Sequence, residues 1–279
     1  MIDRRTLLAA GAAWPLAAAA AAGVTRLRVA GDRLYLPASV NGLAVEALLD
    51  SAAETSIVDR ALAAELRLPV GEAVTARGTG EATTAATMAR NVAIEVAGLR
   101  LRPREVAVID LADIARRLGN GPIPLILGRE LFDAARLQVD IAGGALAVLE
   151  RDRPPPGVRL PLTARRGIET VPLTIEGMPA AADFDLGNGG TVLVGAAYAR
   201  RHRLLDGRPT GVVAGGGIGG ETRQMTFMLA SLEIAGRRFE NVPAAIDTSP
   251  TASDANVGVR VLRNFGIVTD FAARSIWLA

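Results

Sequence analysis

The chain repeats one pattern at residues 41–58, NGLAVEALLDSAAETSIV, and at residues 176–194, EGMPAAADFDLGNGGTVLV. In both copies an apolar run leads into an aspartate, Asp50 or Asp185, that small residues follow. A glycine lies eight residues before each aspartate, and a hydroxyl residue lies six residues after it. The two aspartates therefore occupy matched positions of a repeat.

The repeat continues well beyond the aspartates. Gly128 lies twelve residues before Asp140, and Gly258 lies twelve residues before Asp270. A repeat of this length indicates two copies of a whole fold unit, because it is too long for a solenoid repeat. We expect Asp140 and Asp270 themselves to serve structural turns.

The composition indicates a folded chain without thiol chemistry and without a cysteine or multi-histidine metal site. Half of the 279 residues are apolar, which allows one large or two modest domains with real cores. The net charge of +2 gives no argument for a nucleic-acid partner. The absence of cysteine excludes disulfides and thiolate ligands, and the single histidine, His202, excludes a multi-histidine site. We expect His202 to be exposed, and we predict neither a metal nor another cofactor.

The first residues resemble an export signal. The Arg4-Arg5 pair precedes an alanine-rich apolar run that ends in small residues near Ala22, and the pair resembles the twin-arginine type. We predict a signal over residues 1–23 and a periplasmic or secreted protein. The alternative is a retained membrane anchor, but the alanine content, Gly11 and Pro15 make a weak span, so we expect no stable membrane insertion.

The remaining chain alternates between short apolar segments and turn residues. This alternation predicts a largely β fold. Helical patterns are few and short. The predicted strands include residues 25–29, 33–37, 43–49, 92–96 and 106–109, and the predicted helices are 59–66, its counterpart 196–204, and 111–118, which has no clear counterpart.

Three consecutive prolines at residues 154–156 mark a boundary between the copies. Proline cannot donate to a sheet ladder and favours an extended spacer. We therefore predict an N-terminal lobe over residues 24–152, a linker over 153–156 and a C-terminal lobe over 157–279.

Glycine-rich stretches follow each aspartate by about thirty residues, at residues 77–81 and 215–221. A phosphate-binding loop is the competing interpretation, but neither stretch leads into a helical pattern or carries lysine. We predict hairpin tips that can move over a cleft, because glycine adopts unusual dihedral angles at low cost. The alternative is an ordinary hairpin without function.

Paired aspartates at matched positions predict acid–base chemistry. If the copies pack about a pseudo-twofold axis, equivalent residues near that axis face each other. Two carboxylates in contact hold one proton between them, so the pair contains a base and an acid together. Such a pair can deprotonate a water and protonate a carbonyl oxygen, which hydrolyses an amide without metal.

These motifs resemble those of the retropepsin-like, pepsin-fold aspartic proteases in a tandem form. The signature of that family is Asp-Thr/Ser-Gly-Ala followed by a hydroxyl residue, and later in each lobe an apolar-apolar-Gly turn. The matching residues are Asp50-Ser51-Ala52-Ala53 with Ser56, Leu125-Ile126-Leu127-Gly128, Asp185-Leu186-Gly187-Asn188 with Thr191, and more loosely Asn256-Val257-Gly258.

The resemblance implies a mostly β, bilobal fold of two pseudo-twofold-related β-barrel lobes, with Asp50 and Asp185 as the catalytic dyad. It implies an aspartic endopeptidase that cuts peptide or protein substrates with an activated water, as a monomer with intramolecular lobe pairing. It also implies substrate-covering flaps, formed by Gly78, Thr79 and Gly80 in one copy and by Gly217, Ile218 and Gly219 in the other.

The sequence departs from the family pattern at three positions. Ala52 replaces the usual glycine, and its methyl group is expected to crowd the backbone where the two turns approach. Leu186 replaces the Thr or Ser that bonds across to the other lobe, so only Ser51 contributes to that lock. Asn188 replaces a small residue, and its side-chain amide can bond the neighbouring carboxylate.

These departures favour one alternative function, a catalytically weak or inactive peptidase-fold protein that binds extended peptides. A glycoside hydrolase also uses two carboxylates, but few aromatic residues are available to stack on sugars. Asp183 points to the same side as Asp185 by strand alternation, where the first copy has Leu48. It is either a perturbation of the dyad or a locally solvated group, and without histidine or a third acid a metal site there is disfavoured.

Overall fold

The structure of this chain is a computed structural model that describes residues 23–76 and 83–279. The predicted signal up to residue 22 and the first predicted flap, Gly78 to Gly80, lie outside the described residues. The described part is mostly β, which confirms the prediction from the alternating apolar segments.

The strands are short, as expected for a fold with frequent turns. In chain order they are β1 (Thr25–Arg26), β2 (Arg28–Ala30), β3 (Arg33–Val40), β4 (Leu43–Leu49), β5 (Ile57–Asp59), β6 (Val70–Ala76), β7 (Thr84–Ala89), β8 (Ile94–Val96), β9 (Leu99–Leu101), β10 (Val106–Ile109), β11 (Leu125–Leu127), β12 (Arg136–Asp140), β13 (Ala145–Leu149), β14 (Val158–Pro161), β15 (Thr163–Arg165), β16 (Ile168–Ile175), β17 (Met178–Phe184), β18 (Val192–Gly195), β19 (Gly211–Gly217), β20 (Gly220–Ile234), β21 (Arg237–Asp247), β22 (Ala255–Val257), β23 (Ile267–Asp270) and β24 (Ser275–Leu278).

The helices are α1 (Arg60–Glu65), α2 (Ala112–Leu118), α3 (Arg129–Ala134), α4 (Ala196–Arg201) and α5 (Val259–Leu262). The three helices predicted from periodicity, α1, α2 and α4, are confirmed. Helices α3 and α5 were not predicted. Each begins directly after a glycine, Gly128 or Gly258, that packs against the backbone of a segment far away in the chain. Among the described helices, none combines the length and apolar character that crossing a membrane requires.

Strands β2 to β11 form a ten-stranded sheet within the N-terminal half, the residues before the three prolines. Most neighbours are antiparallel, but β4 pairs in parallel with β11, so that Leu49 lies opposite Leu127. Strand β3 joins β4 through a turn in which Asn41 and Gly42 have φ values of 48° and 87°. Asparagine and glycine tolerate this left-handed conformation best, which explains the tight hairpin.

Strands β15 to β22 form an eight-stranded sheet within the C-terminal half, the residues after the three prolines. The parallel pair recurs here, because β17 pairs with β22 and Phe184 lies opposite Val257. Strand β16 pairs with both β17 and β20, so the sheet curves back on itself. The turn between β16 and β17 again has positive φ values, at Glu176 and Gly177.

A six-stranded sheet contains strands from both halves, in the order β1-β13-β12-β23-β24-β14. The halves meet where β12 pairs with β23, and the rings of Phe132 and Phe271 stack 5.0 Å apart beside this sheet. Asp270 is fully buried and pairs with Arg136 at 3.1 Å. One hydrophobic core therefore runs through both halves.

Smaller differences from the sequence predictions have local causes. The predicted strand at 25–29 is interrupted at Leu27, whose side chain is buried and whose N–H donates to Gly144 O at 2.8 Å. The prediction that His202 is exposed is wrong: the residue is half-buried, because its ring lies 4.3 Å from the ring of Tyr198. Asp140 and Asp270 accept backbone N–H groups three residues on, from Gly143 and Ala273, which agrees with structural turns.

Candidate active site

Each repeated aspartate stands directly after a strand that is paired in parallel with another strand. Asp50 follows β4, and its N–H donates to Leu127 O at 2.9 Å. Asp185 follows β17, and its N–H donates to Val257 O at 3.1 Å. The same hydrogen bond thus fixes the backbone of both aspartates.

The turn after each aspartate holds the carboxyl group in place. Asp50 Oδ1 accepts the N–H of Ala52 at 2.9 Å. Asp185 Oδ1 accepts the N–H groups of Gly187 and Asn188 at 2.8 and 3.0 Å. Aspartate commonly bonds the backbone two residues on in this way, so each side chain has a defined orientation.

Each aspartate turn is closed by the later glycine of its copy. Arg129, after Gly128, donates its N–H to Ala53 O at 3.0 Å, and Val259, after Gly258, donates its N–H to Asn188 O at 2.8 Å. A Cβ atom on Gly128 would lie 2.7 Å from backbone of the first turn, and one on Gly258 would lie 2.1 Å from Asn188 O. Only glycine permits this approach.

The two turns meet each other through Ser51. Ser51 Oγ donates to Phe184 O at 2.7 Å and accepts the N–H of Leu186 at 2.9 Å, and all three residues are buried. Ser51 and Leu186 are 135 residues apart in the chain. The Leu186 side chain itself lies in the hydrophobic core, so this contact is made by one hydroxyl only.

The Asp50 carboxyl group lies against the second turn. A Cβ atom on Gly187 would be 2.4 Å from Asp50 Cγ and 2.5 Å from Asp50 Oδ2. The equivalent residue of the first turn is Ala52, which is half-buried. The structure therefore brings Asp50 to the turn that starts at Asp185.

Ser56 supports the first turn from behind. It is fully buried, accepts the N–H of Gly128 at 3.0 Å and donates to Glu130 Oε2 at 2.7 Å. Thr191, at the matched position, instead accepts the Asn188 amide through its backbone oxygen at 3.4 Å. The two turns are thus supported differently.

Asn256 is a site residue that the sequence reasoning missed. Its Nδ2 donates to Asp185 Oδ2 at 2.7 Å, and its Oδ1 accepts the Asn188 amide at 2.7 Å. The expectation that the Asn188 side chain bonds the carboxylate is therefore wrong, because Asn256 lies between them. A signal was present: Asn256 stands two residues before Gly258, where the first copy has the apolar Ile126.

Burial and mutual repulsion change the acidity of the two aspartates. Burial raises the pKa of Asp50 to about 7, and the charge of Asp185 adds to the rise. Burial also raises the pKa of Asp185, but Asn256 and the N–H groups of Gly187 and Asn188 oppose the rise by stabilising the carboxylate. Asp185 accepts a side-chain amide and two backbone N–H groups, whereas Asp50 accepts backbone N–H groups only, so the hydrogen bonds favour the anion on Asp185.

Asp183 belongs to the electrostatics of this site. Burial raises its pKa to about 6, the hydroxyl of Ser253 donates to Asp183 Oδ1 at 2.5 Å, and the charge of Asp185 adds to the rise. Of the two interpretations from the sequence, coupling to the Asp185 charge fits better than a solvated group. No group of three acidic or histidine side chains that could hold a metal occurs in the described part of the chain.

The second predicted flap is the tip of the hairpin formed by β19 and β20. Gly217 pairs with Gly220, which leaves Ile218 and Gly219 as the two-residue turn. Gly217 O accepts Arg117 Nη2 at 2.8 Å, so the tip reaches α2 of the other half. Ile218 packs half-buried against an apolar cluster there. For the first flap only the flanking strands are described, and they pair as far as Ala76 and Thr84.

Part of the chain matches a known protein family. Residues 36–131 match a family model described as aspartyl protease. The matched segment contains the first turn with Asp50 and the closing Gly128, and it ends before Asp185. No curated protein matches the chain.

Proposed function

We propose that this chain is an aspartic endopeptidase in which Asp50 and Asp185 form the catalytic pair, and the match of residues 36–131 to an aspartyl protease family model supports the proposal. The observation that carries the proposal is the contact between the two turns. Ser51 bonds both Phe184 and Leu186, and Asp50 lies against Gly187. Two acids held in this way can share one proton.

The proposed architecture is two lobes, residues 24–152 and 157–279, related by a pseudo-twofold axis. Its support is the recurrence of equivalent hydrogen bonds: Asp50 to Leu127 matches Asp185 to Val257. Such symmetry places equivalent turns together at the axis, and a substrate-binding cleft would run between the lobes. We propose that the chain acts as a monomer on this basis.

The proposed mechanism assigns different roles to the two acids. The Asp185 carboxylate takes a proton from a water molecule, while the Asp50 carboxylic acid gives its proton to the carbonyl oxygen of the scissile amide. The water oxygen bonds to the carbonyl carbon and forms a tetrahedral diol. The C–N bond then breaks as the nitrogen receives a proton from Asp185, and a diol proton returns to Asp50, so the pair regains its starting state.

The test is a cleavage assay with matched variants. The purified chain is incubated with an unfolded protein between about pH 3 and 7, and new termini are identified by mass spectrometry. We expect the parent to cut, and we expect Asp50→Asn and Asp185→Asn each to lose activity by several orders of magnitude while keeping their fold. Cleavage by either variant at the parent rate would refute the assignment.

A second candidate is a peptidase-fold protein that binds extended peptides without cutting them. The observation that favours it is the one-sided contact between the turns, because Leu186 contributes no hydroxyl and lies in the core. The exposed edges of β6 and β19 would accept a peptide strand. Stable binding of intact peptides by the parent, with no new termini at any pH, would favour this candidate.

We also propose export of the chain through residues 1–23. The proposal is supported by the twin arginines and the alanine-rich run that follows them. The measurement is the mass of the mature protein from a host with an active twin-arginine pathway. A mature chain that begins near residue 24 and leaves the cytoplasm is the expected result, and an uncleaved cytoplasmic chain would contradict it.

A further inference from the structure

Arg33 belongs to the N-terminal half, and its side chain contacts the C-terminal half near the two aspartates. It begins β3, the strand that pairs with β4 before Asp50. Its guanidinium lies against the second turn, since a Cβ atom on Gly189 would be 1.7 Å from Arg33 Nη1. Its positive charge lowers the pKa of both Asp50 and Asp185, so it lies within electrostatic reach of both carboxyl groups.

Arg33 has no acceptor for its N–H groups in residues 23–76 and 83–279: no hydrogen bond or ion pair reaches its guanidinium there. Other arginines between the two halves behave differently, because each meets a carboxylate. These pairs are Arg129 with Glu169 at 2.9 Å, Arg136 with Asp270 at 3.1 Å, Arg260 with Asp32 at 3.1 Å and Arg263 with Asp32 at 2.7 Å. Among the described residues, Arg33 differs from these four arginines because it has no such contact.

The repeat shows where an acid is missing. Four residues after Asp50 the first copy has Glu54, and four residues after Asp185 the second copy has Gly189. The Glu54 side chain lies against Gly167 of the C-terminal half, where a Cβ atom would be 2.9 Å from Glu54 Cδ. Arg33 lies against Gly189 at the equivalent contact between the halves, and Gly189 has no side-chain carboxylate.

The neighbouring carboxylates form no ion pair with the Arg33 guanidinium. Asp32 is adjacent in sequence, but both of its oxygens accept from Arg260 and Arg263. The aspartate pair with one proton carries one negative charge, which balances the charge of Arg33 at a distance. The five N–H donors of the planar guanidinium accordingly have no protein acceptor in the part of the chain that the structure describes.

The Arg33 guanidinium is half-buried, but none of its nitrogens is a buried atom without a partner, so water reaches its donors and a ligand with acceptors can replace that water. Burial lowers the pKa of Arg33, which reflects the loss of hydration. The best complement is a carboxylate, because it accepts two parallel N–H bonds from the guanidinium and adds opposite charge. A neutral peptide carbonyl offers one weaker bond.

We propose that Arg33 is a specificity-determining residue that binds a carboxylate of the peptide substrate beside the scissile bond. The inference rests on the proposed function, because the substrate must lie across Asp50 and Asp185 to reach Arg33. The carboxylate is either an Asp or Glu side chain or the C-terminus of the peptide. The enzyme would therefore prefer acidic groups close to the cleavage site.

The first experiment measures kcat/KM with paired peptides that differ only in Glu against Gln at each position of a cleaved sequence. Each pair is made with a free and with an amidated C-terminus, which separates the two sources of carboxylate. We expect the parent to prefer the acid by about ten- to a hundredfold at one position. In Arg33→Met the ratio should fall to about one, and Arg33→Lys should keep part of it.

The matched control is Arg28→Met. Arg28 lies on the neighbouring strand β2 and forms an exposed pair with Glu46, away from the two turns. This variant should show the same ratio of kcat/KM for the Glu and Gln peptides as the parent. The proposal is overturned if the parent shows no preference at any position, or if Arg33→Met slows the Glu and Gln peptides equally, which would mean that Arg33 serves only the aspartate pair.

The second experiment is independent of cleavage and uses the Asp50→Asn background. Affinities for the same Glu and Gln peptides are measured by calorimetry, with and without Arg33→Glu, after thermal unfolding has shown that each protein is folded. In the Asp50→Asn protein we expect the Glu peptide to bind more tightly than the Gln peptide. When Arg33→Glu is added, we expect a peptide with Lys at that position to bind more tightly than the Glu peptide. If the parent cuts nothing, the proposed function fails; equal affinities in this experiment would overturn the role of Arg33.

Discussion

The carboxyl group of Asp50 lies so close to Gly187 that a Cβ atom on Gly187 would be 2.4 Å from Asp50 Cγ. This contact joins an acid of the first copy to the turn of the second copy. It explains why the second turn has glycine at this position.

Replacement of Gly187 by alanine should displace the Asp50 carboxyl group. Because the nearest atoms belong to a held carboxylate, the methyl group has no free space, and we expect kcat/KM to fall on the order of a hundredfold. The control is Gly71→Ala, where the nearest atom to the new Cβ is Met88 O at 3.4 Å. Peptide cleavage assays on both variants provide the measurement, and equal activities would contradict the contact.

Ser51→Ala should weaken the junction between the two turns. The change leaves Phe184 O and the Leu186 N–H buried without partners, so we expect the free energy of unfolding to fall by about 1–3 kcal/mol. The matched control is Ser39→Ala, because Ser39 Oγ is buried and has no hydrogen-bond partner among the described residues. Denaturant unfolding should show little change for the control, and a similar loss in both variants would count against a specific junction.

Asn256→Leu should make Asp185 a weaker acid. The variant removes the N–H donor that stabilises the Asp185 carboxylate, so the pKa of Asp185 should rise. Activity requires Asp185 to be ionised in the proposed mechanism, so the acidic limb of the pH–rate profile should move to higher pH. An unchanged acidic limb would show that Asn256 does not act on the ionised form.

Asp50→Asn should stabilise the protein near neutral pH. The folded state raises the pKa of Asp50 to about 7 from an ordinary value of 3.8, so the folded state binds more protons than the unfolded state between these values. Stability from this group is therefore present below about pH 4 and is lost as the pH rises towards 7. At pH 7 we expect the free energy of unfolding of the variant to be higher than that of the parent by roughly 1–3 kcal/mol, and at pH 4 we expect a smaller difference. A difference independent of pH would contradict the assigned pKa.

Much of the fold could be predicted from local patterns. The hairpin glycines, the apolar run at residues 43–49 and the helix start at Asp59 depend on near neighbours in sequence, and the structure confirms β4 and α1 at these places. The short helices α3 and α5 escaped prediction because the glycine before each one starts them through a tertiary contact with the aspartate turn.

The site was predictable only where the repeat displayed it. The matched positions of Asp50 and Asp185 follow from comparing the copies, and the family resemblance implied the Ser51 contact. Asn256 and Arg33, by contrast, act through partners far away in the chain. Asn256 bonds Asp185 at a sequence distance of 71 residues, and Arg33 meets Gly189 across the two halves. Such contacts depend on how the halves pack, which spacing alone does not specify.

The most direct test of the central proposal, that Asp50 and Asp185 act as one acid–base pair, is a carboxyl ¹³C NMR titration of Asp50 in the parent and in Asp185→Asn. Burial and the charge of Asp185 both raise the Asp50 pKa, so removal of that charge should leave it above 3.8 but clearly below the parent value of about 7. The same Asp50 pKa in both proteins would contradict the pair.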